Sequence, residues 1–536
     1  MKKRVCFFLA FLLVLSLIGC SVPGQEADTG STPDASPVES PSEAQPAETP
    51  AAEAESAAEE VTYDVVVVGS GASGMCAGIA AGQSGAKTLI IEQLSYFGGS
   101  SNGAEAVAGF NSSVQKGFGM DEIPLGPTFN NMMEYSHWNS EPELSRLVLE
   151  KSGDAISWLA DMGVQFSDIY TATKAINVTH MFTGMFTAAL DVLYQRATDA
   201  GVDMLAETRG YQLLTNDGTV CGLLAEKADG STLKINADAV IMCTGGFGDN
   251  EEMIEQYTAY DFDHLSPCST TPGHNGDGIN MGISAGAAIT GMSTVEFSGG
   301  ILAGRPMTSA TSLTAGRQPT LWVNQDAERF YPESNAGEWS LSGNALVRQE
   351  AAYAIFDSAY IDRLINEGCI NGKGAYFRNG TPLTNLMTEI DDELAAGKDD
   401  VFKADTLEDL AGQIGLDVTH FMETVDRYNG YAATGYDEEF FVESDYYFNI
   451  SEGPFYAFKI ANGYYCTLGG LKVNDSLEVK STEGDIIPGL YAAGVDAGGI
   501  FGDSYDVGIV AAGTMSWNIV SGRTAGTSAA AYALGN

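Results

Sequence analysis

Apolar and polar positions divide this chain into stretches of different period. An apolar run from Val5 to Ile18 follows the basic triplet Lys2, Lys3 and Arg4. From Ser21 to Glu60 all periodicity is lost: Pro, Ala, Ser and Glu dominate, with ten acidic residues and no Lys or Arg. Pattern returns at Val65–Val68, four consecutive valines that read as a strand buried on both faces. An alanine-rich helical run follows, then a second strand between Gly85 and Glu92, apolar from Thr88 to Ile91. Leu144 to Met162 predicts an amphipathic helix with apolar Leu147, Leu149, Ile156 and Leu159, and Leu190 to Ala200 predicts another. Residues 204–236 read as a β-rich excursion ending in a strand and glycine turn, 239–247. A last strand and turn lies at 489–496, and a final helix runs roughly from Val507 to Leu534. The middle, about Thr294 to Ile460, carries aromatic residues and helices and reads as a cap.

The first strand runs straight into Gly69, Gly71 and Gly74, a G-x-G-x-x-G spacing. In that motif the first glycine allows a tight turn and the second lets backbone approach a pyrophosphate. The third lets helix and strand pack closely. The helix N-terminus then presents unpaired N–H groups and a partial positive charge to the phosphates. Glu92, 18 residues after Gly74, closes the second strand, where a carboxylate accepts hydrogen bonds from a ribose diol. Alone, such a spacing says little in a chain of 63 glycines. Strand, glycines, helix, strand and acid in order predict an adenine dinucleotide site.

The first apolar run is too short and wrongly flanked for an ordinary membrane span and reads as a secretory signal. It ends in Leu17-Ile18-Gly19-Cys20, which resembles the lipobox of bacterial lipoproteins. That resemblance implies cleavage before Cys20, a lipid on its thiol, and an extracytoplasmic protein anchored to the cell membrane. Residues 21–60 then form a solvated acidic tether whose random-coil reach is on the order of 35 Å.

Loss of the three basic residues takes the formal net charge from −45 to −48. This field disfavours nucleic acid and anionic lipid surfaces as partners. Of eight cysteines, Cys6 leaves with the signal and Cys20 takes lipid. The other six show no C-x-x-C, so iron–sulfur, zinc and attached haem lack their usual spacing. The histidines His137, His264, His274 and His420 are scattered, no pair including His180 has metal spacing on one helix, and no metal site is expected.

The ordered motifs resemble the flavin subunit superfamily of fumarate reductases, urocanate reductases and 3-oxosteroid dehydrogenases. They are the Gly69–Glu92 fingerprint, Gly98-Gly99-Ser100-Ser101, the turn Cys243-Thr244-Gly245-Gly246-Phe247, Gly276-Asp277-Gly278, Arg329-Phe330 and residues 489–496. The likeness implies an α/β fold: a Rossmann-like FAD-binding domain of glutathione-reductase type, interrupted by an α+β cap. Residues 61–294 and 464–536 would form the FAD domain and 295–463 the cap. It implies FAD, held by Gly69, Gly71, Gly74, Glu92, Gly98, Gly99, Ser100, Thr244, Gly245 and Asp496, the last beside the ribityl chain. It also implies hydride transfer between flavin N5 and a carbon–carbon double bond. The histidine that binds FAD covalently in succinate dehydrogenase-type relatives is Asn102 here, so non-covalent FAD is expected.

Departures from the family narrow the substrate. Fumarate reductases clamp a dicarboxylate with a histidine and two arginines, because carboxylates need charge-assisted donors. Here the histidine position is Cys466 and the C-terminal arginine position is Tyr505. The catalytic arginine position falls near Gly337-Glu338, and the Thr-Glu pair near Leu313-Thr314. Only Arg317 keeps its likeness, to the outer arginine of the proton relay. Fumarate is therefore not expected. Gly502-Asp503-Ser504-Tyr505 resembles the steroid enzymes, whose tyrosine hydroxyl hydrogen-bonds a ketone oxygen. A neutral donor there stabilises the charge that grows on oxygen conjugated with the reacting carbon. Candidate catalytic residues are thus Tyr505, Arg317, Cys466 and Glu338, with Cys466 read as filling the histidine's space. No second fingerprint exists for NADH, so a separate extracytoplasmic electron carrier is implied. The expected function is a respiratory ene-reductase acting on a small unsaturated acid or enone. A 3-oxosteroid-type dehydrogenase and a non-catalytic solute-binding lipoprotein are the alternatives.

Overall fold

The computed structural model describes residues 59–170, 178–269, 271–374, 376–505, 508 and 510–536. The signal and residues 21–58 of the tether lie outside them. In chain order the first half forms β1 (Glu59–Val68), α1 (Ala72–Gln83), β2 (Thr88–Ile91), α2 (Pro142–Met162) and α3 (Met185–Asp199). It continues with β3 (Asp203–Leu205), β4 (Thr208–Asn216), β5 (Thr219–Lys227) and β6 (Thr232–Met242). The chain then leaves this layer through β7 (Val295–Ile301), α4 (Ala310–Arg317), β8 (Leu321–Asn324) and α5 (Trp339–Leu346). Next come β9 (Ala352–Phe356), β10 (Val401–Ala404), α6 (Val418–Thr434) and β11 (Phe455–Lys459). It returns by β12 (Ala461–Thr467), β13 (Glu478–Lys480), β14 (Ile486–Ala492) and α7 (Gly513–Ala533).

The main sheet has the order β13-β14-β6-β1-β2-β3, with hairpin β4–β5 added through β5 to β6. β1 lies between β2 and β6, parallel to both, with Val65 level with Thr88 and Ala239. Helices cover both faces of such a strand, which is why Val65–Val68 are continuous valines, none more than 4% exposed. The expected tether ends two residues early. Glu59 and Glu60 already belong to β1, drawn in by Lys227 at 2.5 Å and Lys234 at 3.3 Å. α2 starts at Pro142, whose missing N–H costs nothing in a first helical turn.

The excursion builds its own antiparallel sheet, β8-β9-β11-β10. Alternation along its strands feeds two apolar clusters, one per face. Trp322, Phe356 and Phe458 face one way, and Leu321, Ile355 and Ala457 the other. β7 and β12, the outgoing and incoming strands, pair antiparallel and set Glu296 opposite Cys466. The final helix begins at Gly513, not near Val507, which lies outside the described residues. Ala512 holds φ +64° and breaks the helical path just before it.

Candidate active site

The turn from β1 to α1 is shaped by contacts that only glycine permits. Gly69 holds φ +102°, and a Cβ on it would overlap the Cys243 carbonyl; a Cβ on Gly74 would overlap the Gly69 carbonyl. Gly71 is different: its Cβ would meet only Ser101 Oγ, at 3.6 Å. The first two close the packing and the middle one opens on space. That space is a cavity of about 590 Å³, lined by Gly71, Ala72 and Ser73 at the N-terminus of α1. Thr514 and Met515 bring the N-terminus of α7 to the same cavity. Two helix N-termini on one space suit a ligand with phosphate at one end and an electron-rich ring edge elsewhere.

Glu92 is 6% exposed and lines this cavity. One of its oxygens accepts from Ser70 N (3.0 Å) and Ser70 Oγ (2.6 Å), the other from Leu94 N (2.9 Å). Gly98, at φ +101°, donates its N–H to Ser70 Oγ, so the G-G-S turn is tied to the fingerprint. Gly99, Ser100, Thr244 and Gly245 reach the cavity too. Asp496 does not. It is fully buried, accepting from Thr244 Oγ1 at 2.9 Å and Gly246 N at 2.9 Å, as well as from Thr244 N. Burial raises its pKa and those donors offset the rise. Asp496 therefore pins the Thr244–Gly246 turn, and it does not line the cavity itself. Asn102, at the position of the covalent histidine, donates its amide to Phe97 O and Gly99 O.

His274 is a residue that sequence reasoning passed over. Its Nε2 lies 3.0 Å from Ser100 Oγ and its Nδ1 3.2 Å from Asp249, whose pKa it lowers. His180 is fully buried between Ser112 Oγ and Val178 O, and burial pushes its pKa down to about 4. It is a neutral structural residue.

The far end of the cavity is aromatic. Trp339 stacks on Tyr465 with ring centroids 5.7 Å apart, and Tyr170, Tyr376 and Tyr505 complete much of the wall. Tyr505 packs edge-on against Phe501, and its hydroxyl accepts the Gly513 N–H at 3.0 Å. Among the described residues no Arg or Lys lines the cavity. Arg317 stands one layer back, 4.9 Å from the Trp339 ring centroid. Its guanidinium donates to the carbonyls of Gly337 (2.8 Å), Gly372 (3.0 Å) and Ser298 (3.2 Å), and burial pushes its pKa down to about 10. It braces the wall and has no face on the cavity. Glu338 is likewise outside the lining; it precedes α5 and presents only its neighbour Trp339.

Cys466 does line the cavity, and its thiol donates to Glu296 Oε2 at 3.3 Å. Burial, with Glu296 beside it, holds that thiol well above the usual range. Glu296 is 7% exposed and also on the wall. It is the second residue missed from sequence. The available signal was an acid inside the apolar strand Val295-Glu296-Phe297, a placement that demands a partner or a function.

A dinucleotide cradle continues into an aromatic chamber, and the relatives of this chain show it to be a flavin-dependent oxidoreductase acting on carbon–carbon double bonds, with FAD as cofactor. The chain belongs to the FAD binding domain family, whose model matches residues 64–508. It is 36% identical to the vinyl phenol reductase of Lactiplantibacillus plantarum, across 89% of this chain and 98% of that one. It is 29% identical to a fumarate reductase (cytochrome) of Shewanella frigidimarina, across 90% of this chain and 79% of the relative. The open conformation of a flavocytochrome c3 fumarate reductase superposes with a TM-score of 0.69 at 26% identity, covering 90% and 80% of the two chains.

Proposed function

We propose that this protein reduces the double bond of a neutral aromatic alkene, of the vinyl phenol or aryl enone type, rather than an unsaturated acid. One observation carries this: a wall of Trp339, Tyr465, Tyr505, Tyr170 and Tyr376 with no arginine or lysine among the described residues that line it. A carboxylate in that chamber would lose its hydration and gain no charge-assisted donor from the described wall, while Glu105 on the same wall would repel it. An aromatic ring instead finds faces and edges to stack on. The vinyl phenol reductase likeness supports the same class. FAD, when bound without a covalent link, supplies hydride to one alkene carbon. In an enone, Tyr505 acts at the ketone oxygen conjugated with that carbon. Its hydroxyl, oriented by the Gly513 N–H, stabilises the charge that collects there.

The test is anaerobic. Viologen-reduced protein is mixed with 4-vinylphenol, aryl enones, aryl acrylates, steroid enones and fumarate, and flavin reoxidation is followed. Neutral aryl alkenes are expected to react fastest and fumarate not at all; fumarate outrunning them would overturn the proposal. Tyr505→Phe is expected to slow reoxidation by about 10²-fold without loss of flavin.

Location is proposed from the front of the chain. The Cys20 lipobox and the single nucleotide fingerprint support a membrane-tethered enzyme outside the cytoplasm, fed by a separate electron carrier. Radiolabelled palmitate is expected to enter the wild type and not Cys20→Ser; an unlabelled wild type in the soluble fraction would sink this part.

A further inference from the structure

We infer that Glu296 is the acid that delivers the proton to the substrate carbon during double-bond reduction. This rests on reading the aromatic chamber as the place where the alkene is reduced. Reduction adds two hydrogens. One alkene carbon receives hydride, which the family's flavin chemistry supplies. The other must form its C–H bond with a proton, as the O–H bond of an acid breaks and its electron pair stays on oxygen. The chamber therefore has to contain a group that carries a proton at working pH and points into it.

Glu296 meets both requirements by position. β7 presents its carboxyl on the cavity wall, 7% exposed, and the β7–β12 register sets it opposite Cys466. The titratable groups facing it are Cys466 and Tyr465 of β12 and Cys268; Thr514 of α7 adds a hydroxyl. None is a cation. The Cys466 thiol is a weak donor that holds one oxygen without favouring ionisation much. Burial pushes the Glu296 pKa up to about 7, with Thr514 and Cys466 pulling only slightly the other way. The proton is thus present near neutrality. After transfer, the carboxylate faces the first turn of α7, whose N-terminal dipole favours the anion.

Other candidates fail on geometry or acidity. Arg317 sits behind Trp339, donating to three carbonyls there, and neither it nor Glu338 lines the chamber. Tyr465 and Cys466 line it, but burial holds both far above the range at which they release a proton readily. The inherited histidine position is therefore not empty chemistry: Cys466 is a positioning residue for the acid across the strand pair.

Single-turnover reoxidation of the viologen-reduced holoenzyme by 4-vinylphenol tests this as a function of pH. The wild-type rate is expected to be flat below about pH 7 and to fall about tenfold per pH unit above it. Glu296→Gln is expected to lose at least about 10²-fold in that rate and to lose the break. Its flavin content and its reduction by viologen should match the wild type. Glu296→Asp is expected to keep a break at reduced rate, and Cys466→Ser to move it. An infrared carboxylic-acid band that titrates near neutrality in the wild type, and is missing in Glu296→Gln, reads the same group without turnover. Wild-type rate and pH profile in Glu296→Gln, an unchanged infrared band, or transfer of the whole effect to Glu105→Gln would each overturn the assignment. If no alkene reoxidises the wild type, the reductase reading fails instead, and the infrared band still reports on Glu296.

Discussion

Replacing Arg329 by alanine is expected to cost about 3–5 kcal/mol of stability. The Arg329 side chain is 1% exposed and serves three carboxylates: Glu333 at 2.5 Å, Asp437 at 2.6 Å and Glu439 at 2.7 Å. Phe440 and Tyr431 flank its guanidinium at 4.9 and 5.3 Å. Burial alone would lower the arginine pKa, and Glu333 and Asp437 reverse that. The pair Glu333 and Asp437 is itself fully buried. Burial raises the Glu333 pKa, and Arg329 supplies the main opposing pull. Without the arginine, two carboxyls must stay buried unpaired or take protons. Groups whose folded pKa rises above the unfolded value contribute stability below the unfolded pKa and lose it as pH rises through the folded one. The deficit of the variant against wild type should therefore be full at pH 7 and shrink toward pH ~4. Paired thermal melts across that range check it, and a pH-independent deficit would contradict the account. Activity should suffer as well. Glu333 also accepts the Trp322 N–H, and the same segment leads through Gly337 to Trp339, the stacked wall of the chamber.

How much of this was legible depended on how local each interaction is. The fingerprint reads from sequence because its three glycines share one strand–turn–helix, in which Gly74 answers to the Gly69 carbonyl. The aromatic cap read coarsely, since alternation in Leu321-Trp322-Val323 marks a strand but not its two cores. The turn that Asp496 holds was not legible, because an acid after the last strand suits a ligand hydroxyl and a backbone turn equally well. The acid's partner, Thr244, is 252 residues away in sequence. Arg317 and Glu338 were placed by distance from a motif, and neither that distance nor the family likeness reveals which side of Trp339 they occupy. Cys466 was read alone, as a filler, because its meaning lies in Glu296, 170 residues earlier across a strand pair. Site residues held by long-range pairing are invisible to periodicity; those held by a turn are not.

Gly74→Val separates the two jobs of the opening fingerprint when set beside Gly71→Ala. At Gly74 a Cβ would run into the Gly69 carbonyl, and Gly69 cannot retreat because its own Cα rests on the Cys243 carbonyl. Nor can α1 move outward. Gly522 and Gly526 of α7 press their Cα atoms on the carbonyls of Ser73 and Ala77, where any side chain would collide. Held on both sides, α1 must tilt or strain, at a cost of about 1–3 kcal/mol for overpacking. Its first N–H groups shift with it, so FAD affinity should fall roughly 10- to 100-fold and the flavin-free protein should melt lower. Gly71 has φ −58°, within reach of any residue, and its Cβ would meet only Ser101 Oγ at 3.6 Å. Gly71→Ala is therefore expected to leave the melting of flavin-free protein unchanged while weakening FAD. Flavin titration of both apoproteins, prepared by acid release of unattached FAD, gives the comparison. Equal losses of apoprotein stability in the two variants would contradict the division of labour, because only one of these glycines has backbone behind it.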